Sequence, residues 1–513
     1  MVCSGLMEQL PHLDHGSGMP LYRQLYEQIA ARIHSGELGN GERLPATREL
    51  AGSLGLNRTT VAAAYEMLEA EGLIAGRVGR GSFVTVAAGS ANAQGAASRT
   101  YTAPAGESGV RWGALLERGD SSPAAAAPAA LGREVISFAT SRPSREMFPL
   151  DEFRSSCAAV IARADLADIL QLGSPAGYEP LRRYLLEEAR RQGVAGAADD
   201  LLITNGCQQA LDLVGRVLLR PGDAVAVEDP VYPGLKNLLT GMGARLAAVP
   251  VGAEGMDVAS LARALERERP RLLVVTPDFQ NPTGATLPLA ARRALLDAAR
   301  AAGVPVIEND PYGELRYRGQ PLAALKQMDE HGGTVLLRSF SKSSFPGLRV
   351  GWVVGPKPQL DRLRQAKEAA DLHSDQLSQA VLLEFAESGR LEAHKRRLLE
   401  AGAERLRATL DACREFLPAG ARWTRPEGGM NLWVSLPEPL DAGELLPRAQ
   451  KMGVAYLPAR YFAVSRAEPG GLRLSFAGLE PGQIRAGLAV IGKLAAAELE
   501  TARPAGEPAP AMV

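Results

Sequence analysis

At 513 residues, with 46% hydrophobic and 22% charged side chains, the chain has the composition of a folded globular protein and is long enough for more than one domain. A formal net charge of -1 excludes a generally basic nucleic-acid coat, so any contact with nucleic acid must come from a local surface. Cys3, Cys157, Cys207 and Cys413 form no CxxC pair, which argues against a zinc site or disulfide framework; with no signal-like segment or long apolar run, a cytoplasmic, membrane-free protein is expected.

In chain order, the first pattern lies in residues 16–86. Pro20 can open a helix in which Leu21, Leu25, Ile29 and Ile33 recur every four residues along one face. The stretch LPATRELAGSLGLNRTTVAAAYEMLEAEGL predicts a short helix carrying Leu50 and Leu54, a tight turn at Gly55, and a second helix capped by Asn57 with Val61, Tyr65 and Leu68 inward. LIAGRVGRGSFVTV then sets two β-prone arms around a tip rich in Gly and Arg. Together these read as a winged helix-turn-helix, a double-stranded DNA reader. The start of its second helix exposes Arg58, Thr59 and Thr60, side chains able to reach phosphates and base edges in a major groove. Seven Arg face seven Glu across 16–86, so the module is neutral. The argument rests on placement: Arg43, Arg48, Arg58, Arg77 and Arg80 fall at the turn, the recognition helix and the wing.

Residues 87–133 are rich in Ala, Gly, Ser and Pro and read as a flexible linker with a reach of about 40 Å. Beyond it, residues 134–500 alternate apolar β-like runs (Ala224 to Val227, Leu272 to Val275, Val304 to Ile307, Val335 to Leu337, Val350 to Val354) with helical stretches. That pattern predicts an α/β domain with a mainly parallel sheet flanked by helices. Residues 501–513 have the composition of a disordered tail.

The chemistry of the large domain centres on SFSKSSFPGLRVGW, where Lys342 follows a predicted strand, between hydroxyl side chains and seven residues before Arg349. A lysine so placed can form a Schiff base with an aldehyde, and pyridoxal 5'-phosphate (PLP) requires such a lysine, a carboxylate at its ring nitrogen, donors around its phosphate and a stacked ring. IENDPYGELRY offers Asp310 for the ring nitrogen and Tyr312 for the phenolic oxygen, and PDFQNPTG offers Asn281 as a second donor to that oxygen. ITNGCQQALDLVGRVLL passes from strand to helix at Gly206, so the amides of Cys207 and Gln208 face an anion at a helix N-terminus, with Ser339, Ser341 and Arg349 completing a phosphate cup. EDPVYPG supplies Tyr232 as a plate over the ring, and GGLRLSF places Arg473 where a guanidinium can hold a ligand carboxylate through two hydrogen bonds.

The strings PLYRQLYEQIAARI, GERLPATRELAGSLGLNRTTVAAAY, EGL and GRGSFV resemble the winged helix of the GntR family over residues 20–84. This resemblance implies DNA contacts from Arg48, Arg58, Thr59 and Thr60 and a wing contact near Gly79. One departure is Ala46, where the family carries a capping Ser; Thr47 is expected to substitute. The motifs around Lys342 resemble fold type I aminotransferases over about residues 135–500, and the whole chain resembles the MocR subfamily of regulators. A smaller C-terminal subdomain and a homodimer follow from the same resemblance. Two further departures are Leu172, where such domains often have a Tyr reaching the neighbouring subunit's phosphate, and PDFQNPTG, where many MocR proteins carry His and this chain carries Phe279 for it, with Asn281, which is closer to true aminotransferases. Three readings remain: a PLP-dependent regulator sensing an amino compound, an active aminotransferase with an accessory N-terminal module, and a DNA-binding scaffold with an inactive site.

Overall fold

The computed structural model describes residues 13, 21–35, 37–70, 73–77, 81–85 and 135–502. It divides into two units, Met1–Asp120 and Ser121–Val513. The expected linker 87–133 and the wing tip with Gly79 and Arg80 lie outside the described residues.

The first unit holds α1 (Leu21–His34), α2 (Thr47–Leu54) and α3 (Arg58–Ala70), followed by β1 (Ile74–Arg77) and β2 (Gly81–Val84). Leu25, Ile29 and Ile33 from α1 meet Leu50, Val61, Tyr65 and Leu68 in one buried cluster, which the four-residue spacing of the apolar side chains dictates. Leu21 and Leu54 are only partly buried. The turn between α2 and α3 closes on Gly55 at φ 66, a left-handed conformation that favours glycine. Asn57 caps α3 by accepting from the Thr59 amide at 3.2 Å. β1 and β2 pair antiparallel, Ile74 opposite Val84 and Arg77 opposite Gly81. A third segment joins them: Leu44 N donates to Ser82 O at 2.9 Å and Val84 N donates to Glu42 O at 2.8 Å.

The expectation for the start of α2 needs correction. Ala46 is the N-cap and no side chain caps the helix; Thr47 is already its first helical residue, so its hydroxyl does not replace the missing serine. The amides of Glu49 and Leu50 bond only to the Ala46 carbonyl, at 2.8 and 3.0 Å.

The second unit is built on an eight-stranded sheet. Its strands are β4 (Asp199–Thr204), β5 (Ala224–Asp229), β6 (Arg245–Gly252), β7 (Gly255–Met256), β8 (Leu272–Val275), β9 (Val306–Asn309), β10 (Thr334–Ser339) and β11 (Gly351–Pro356), in the order β4-β11-β10-β9-β8-β5-β6-β7. Neighbours from β10 through β9, β8 and β5 to β6 are parallel; β11 runs against both β10 and β4. Both faces are covered, as a parallel sheet demands. Val225, Val227, Leu272 and Val274 enter one buried cluster, whereas Ala226, Leu273 and Val275 enter another on the opposite face. The run Val304 to Ile307 is shifted in the fold to Val306–Asn309, because Gly303 (φ 67) still belongs to the preceding turn and the strand ends in polar residues.

A smaller layer holds β12 (Arg422–Trp423), β13 (Asn431–Ser435), β15 (Leu457–Pro458) and β16 (Gly471–Ser475) in an antiparallel sheet ordered β12-β13-β16-β15. The short β3 (Ile136–Ser137) and β14 (Val454–Ala455) pair in parallel beside it. Helices Arg390–Phe416 and Pro481–Ala502 pack on this layer, the latter running two residues into the segment expected as a tail. No helix among the described residues is long and apolar enough to cross a membrane.

Giving α2 a hydroxyl cap tests the corrected N-terminus. Ala46→Ser is expected to stabilise the winged helix by about 1 kcal/mol, read as a higher midpoint of the first unfolding transition in calorimetry of the full chain.

Candidate functional site

Five loops leave the same edge of the large sheet, at the C-terminal ends of β4, β5, β8, β9 and β10. An open parallel sheet places its ligand crevice there, because each strand delivers its following loop to the same side.

The β4 loop passes through Gly206 at φ 82 into helix Cys207–Leu218. A side chain at Gly206 would put Cβ 2.6 Å from Nη2 of Arg349, and one at Gly351 would sit 2.7 Å from the Gly206 Cα. These two glycines let β11 and the loop close on each other. Arg349, itself left-handed at φ 55, then donates to the Asn205 carbonyl at 2.9 Å and to Ser341 Oγ at 3.2 Å. Ser341 N donates to Ser339 Oγ at 3.0 Å, so the hydroxyls of both serines, the guanidinium and the first amides of the helix surround one small volume. The Cys207 thiol is pushed up to about 12, by burial first, and stays protonated. Gln208 donates through Nε2 to the Gly234 carbonyl at 3.2 Å, while its Oε1 is buried without a partner.

Lys342 follows β10 by three residues. Its Nζ donates to the Ser141 carbonyl at 2.6 Å and lies 5.7 Å from the centre of the Tyr312 ring. Asp310 directly follows β9 and is 5% exposed; Oδ1 accepts from Gly313 N at 2.7 Å and Oδ2 from Arg338 Nε at 3.0 Å. Tyr312 is buried with Phe279, Leu315 and Met430. Phe279 is wholly buried, with Arg316 stacked 4.9 Å from its ring centre, so this departure is a core residue beneath the site. Tyr232, after β5, is 38% exposed, and burial of its hydroxyl raises its pKa. Tyr312, Arg349, Cys207 and Arg473 all act electrostatically on that hydroxyl, which ties the expected residues into one site.

Arg473 stands on β16 at the floor. It is 3% exposed, and burial lowers its pKa to about 10. Nη1 donates to Asn431 Oδ1 at 3.2 Å and Asn281 Oδ1 at 3.4 Å, Nη2 donates to the Ala139 carbonyl, and Nε has no partner among the described residues. Among the described residues no carboxylate pairs with it. A buried guanidinium without a counter-charge is costly, so the site is built to receive an anion.

All expected residues of the large domain therefore converge: Lys342, Asp310, Tyr312, Asn281, Tyr232, Gly206, Cys207, Gln208, Ser339, Ser341, Arg349 and Arg473. Sequence reasoning missed the carbonyls of Ser141 and Ala139, the side chain of Asn431, the Arg338 partner of Asp310, and a bracing network. In that network, fully buried Lys367 pairs with Asp371 at 2.7 Å, and Asp371 accepts from Gln209 at 2.6 Å and Asn205 at 3.1 Å. In the first unit, Arg48, Arg58 and Thr59 are exposed and Thr60 is half-buried, while Gly79 lies outside the described residues.

The sheet order, the lysine after β10 and the anion cup after β4 define the class as a fold type I, aminotransferase-like domain preceded by a winged helix-turn-helix. Residues 149–491 match the family described as aminotransferase class I and II, and residues 21–84 match the gntR family of bacterial regulatory proteins. The chain belongs to the aminotransferase class I and II family, in the MocR-type branch that carries a GntR head. It is 30% identical over 482 residues to the probable rhizopine catabolism regulatory protein MocR of Rhizobium meliloti, covering 93% of this chain and 94% of that one. It is 38% identical to a 2-aminoadipate transaminase of Thermus thermophilus over 70% of this chain and 89% of the enzyme. The structure of LysN, an alpha-aminoadipate aminotransferase from Thermus thermophilus complexed with N-(5'-phosphopyridoxyl)-L-leucine, superposes with a TM-score of 0.69 at 35% identity, over 76% of this chain and 100% of that one.

Beneath the ring loop, Glu228 is 2% exposed and burial pushes its pKa up to about 8, while Gln280 Nε2 lies 3.4 Å from Oε2. The folded state keeps a proton that the unfolded chain releases near pH 4.3. This contribution is therefore complete below about pH 4.3 and lost as pH rises through about 8. Urea unfolding of Glu228→Gln is expected to lose stability less steeply than the native chain between about pH 5 and 8.

Proposed function

We propose that the protein is a transcription regulator whose aminotransferase-like domain binds PLP, senses an amino compound that carries a carboxylate, and passes its state to the DNA-binding head. The observation that carries this reading is the buried, uncompensated Arg473, in a domain fused to a GntR-type head.

The residues fit the cofactor. Gly206, the Cys207 and Gln208 amides, Ser339, Ser341 and Arg349 form a cradle of donors suited to a phosphate, and a Cβ at Gly206 would intrude on Arg349. Tyr232 would cover the ring, and Tyr312 and Asn281 would serve its phenolic oxygen. When bound, PLP supplies an aldehyde that amines capture and a ring that withdraws electrons from their α-carbon. Lys342, whose Nζ now donates to the Ser141 carbonyl, would hold the aldehyde. Arg473 binds the ligand carboxylate. In the head, Arg48, Arg58, Thr59 and Thr60 contact DNA, with the wing near Gly79 as a further contact. Two heads in a homodimer match two half-sites of an operator.

A second reading, turnover as an aminotransferase, is favoured by Asn281 beside Arg473 and by the 38% identity to a transaminase. One spectral titration separates the two. The native chain is expected to show a near-visible band that Lys342→Ala loses, and a cognate amino acid is expected to shift that band to a persistent new form. Conversion to the pyridoxamine form, reversed by a 2-oxo acid, establishes turnover, and no band at all with added PLP overturns the cofactor assignment. Arg473→Gln is expected to weaken the ligand about 10- to 100-fold.

Arg58→Ala is expected to reduce operator affinity by about 1–3 kcal/mol in gel-shift titrations at fixed salt, leaving the amino-acid titration unchanged.

A further inference from the structure

The expectation that Asp310 meets a ring nitrogen needs correction, because both of its carboxylate oxygens are already held. Oδ1 accepts from Gly313 N at 2.7 Å and Oδ2 from Arg338 Nε at 3.0 Å. Arg338 stands on β10 between Leu337, which packs in the cluster of helix Cys207–Leu218, and Ser339 of the cup, so its side chain leaves by the other face of the sheet. There it also donates to Gln192 Oε1 at 2.9 Å. The charge of Asp310 is thus paired and turned away from the cup.

The preceding residue has the opposite character. Asn309 ends β9 and stands opposite Leu337 in the parallel ladder. Ile307, two residues earlier on the same face, packs with Leu211 and Val214 of the helix that begins at the cup. The Asn309 side chain therefore lies on the cup side, and it is 7% exposed. Its Nδ2 reaches Thr276 Oγ1 at 3.4 Å, a weak bond, and its Oδ1 is buried with no partner among the described residues. A buried carboxamide left half-satisfied is destabilising, and a ligand atom that completes it recovers the loss. No nearby carboxylate adds a charge on this side. Glu308 points to the other face, where it accepts from Leu325 N and Lys326 N at 2.8 Å, and Asp278 is paired with Arg292 at 2.8 Å and Arg316 at 3.2 Å.

We infer that Asn309 is the residue that meets the pyridine nitrogen of bound PLP, and that it holds this nitrogen unprotonated. The inference rests on the PLP reading of the site. With its carboxamide turned over, Asn309 offers Nδ2 to the nitrogen lone pair while Oδ1 accepts from the Thr276 hydroxyl, so every polar atom of the amide is used. A carboxylate in this place would favour the pyridinium by its charge; a neutral amide has none to offer. An uncharged ring is a weak electron sink, so a bound amino compound loses its α-proton slowly. Capture of the amine by the aldehyde makes no such demand on the ring. Asn309 thereby favours a domain that reports occupancy over one that turns over.

The test is the nitrogen resonance of ring-15N pyridoxal phosphate bound to the full-length protein at neutral pH. The native chain is expected to place it at the unprotonated pyridine position, and Asn309→Asp to move it to the pyridinium position. A pyridinium resonance in the native chain overturns the inference, and so does a resonance that Asn309→Asp leaves unmoved. If the aspartate variant does not fold, the native resonance decides alone. Failure of the underlying reading looks different: no band that depends on Lys342 forms with added PLP, and the role of Asn309 falls with the cofactor.

Discussion

The close approach of Gly206 and Gly351 is the constraint on which the site depends. The β4 loop and β11, remote in sequence, converge because Gly351 carries no Cβ against the Gly206 Cα, and the bare Gly206 leaves room for Arg349, which donates to the Asn205 carbonyl. Everything that would grip a phosphate follows: the left-handed turn into Cys207–Leu218 aims the first amides of the helix inward, and Arg349 and Ser341 close the opposite wall. Lys367, Asp371, Asn205 and Gln209 brace the turn from behind, with a buried ammonium as their anchor. The lysine after β10 gains its position from the same geometry, since β10 and β11 are paired through Ser339 and Gly351.

Charge at the site is balanced locally and in opposite senses at its two ends. Asp310 and Arg338 neutralise each other, whereas Arg473 keeps a buried cation whose partners are all neutral oxygens. Burial already depresses the proton affinity of Arg473, so an anionic ligand gains more from that contact than it would at the surface. The Arg473 end of the site is therefore primed for an anion.

Much of this was legible in the sequence where function and local geometry share a short segment. Gly206 with Cys207, Ser339 to Arg349, and Asp310 with Tyr312 each combine a strand end, a turn residue and a chemical group within a dozen positions. What escaped depends on contacts between distant segments: the Ser141 carbonyl reaches Lys342 and the Ala139 carbonyl reaches Arg473 through backbone oxygens that carry no residue identity. Arg338 was hidden differently, as a charged residue inside an apolar strand whose partner is revealed only by the parallel pairing of β9 with β10. The wing's third segment was missed because Glu42 to Leu44 has no alternation of its own and is recruited by β2. The cap at Ala46 failed for a local reason: a hydroxyl one residue late lies inside the helix, where it no longer meets the first free amides.

A domain of this kind can serve regulation without losing the machinery of catalysis, because capture of an amine and proton removal at its α-carbon make different demands. Capture needs Lys342, the phosphate cup and Arg473, and all are present in a connected framework. Removal of the α-proton depends further on the electronic state of the ring. The same fold, with its loops and glycines in place, can therefore serve either demand.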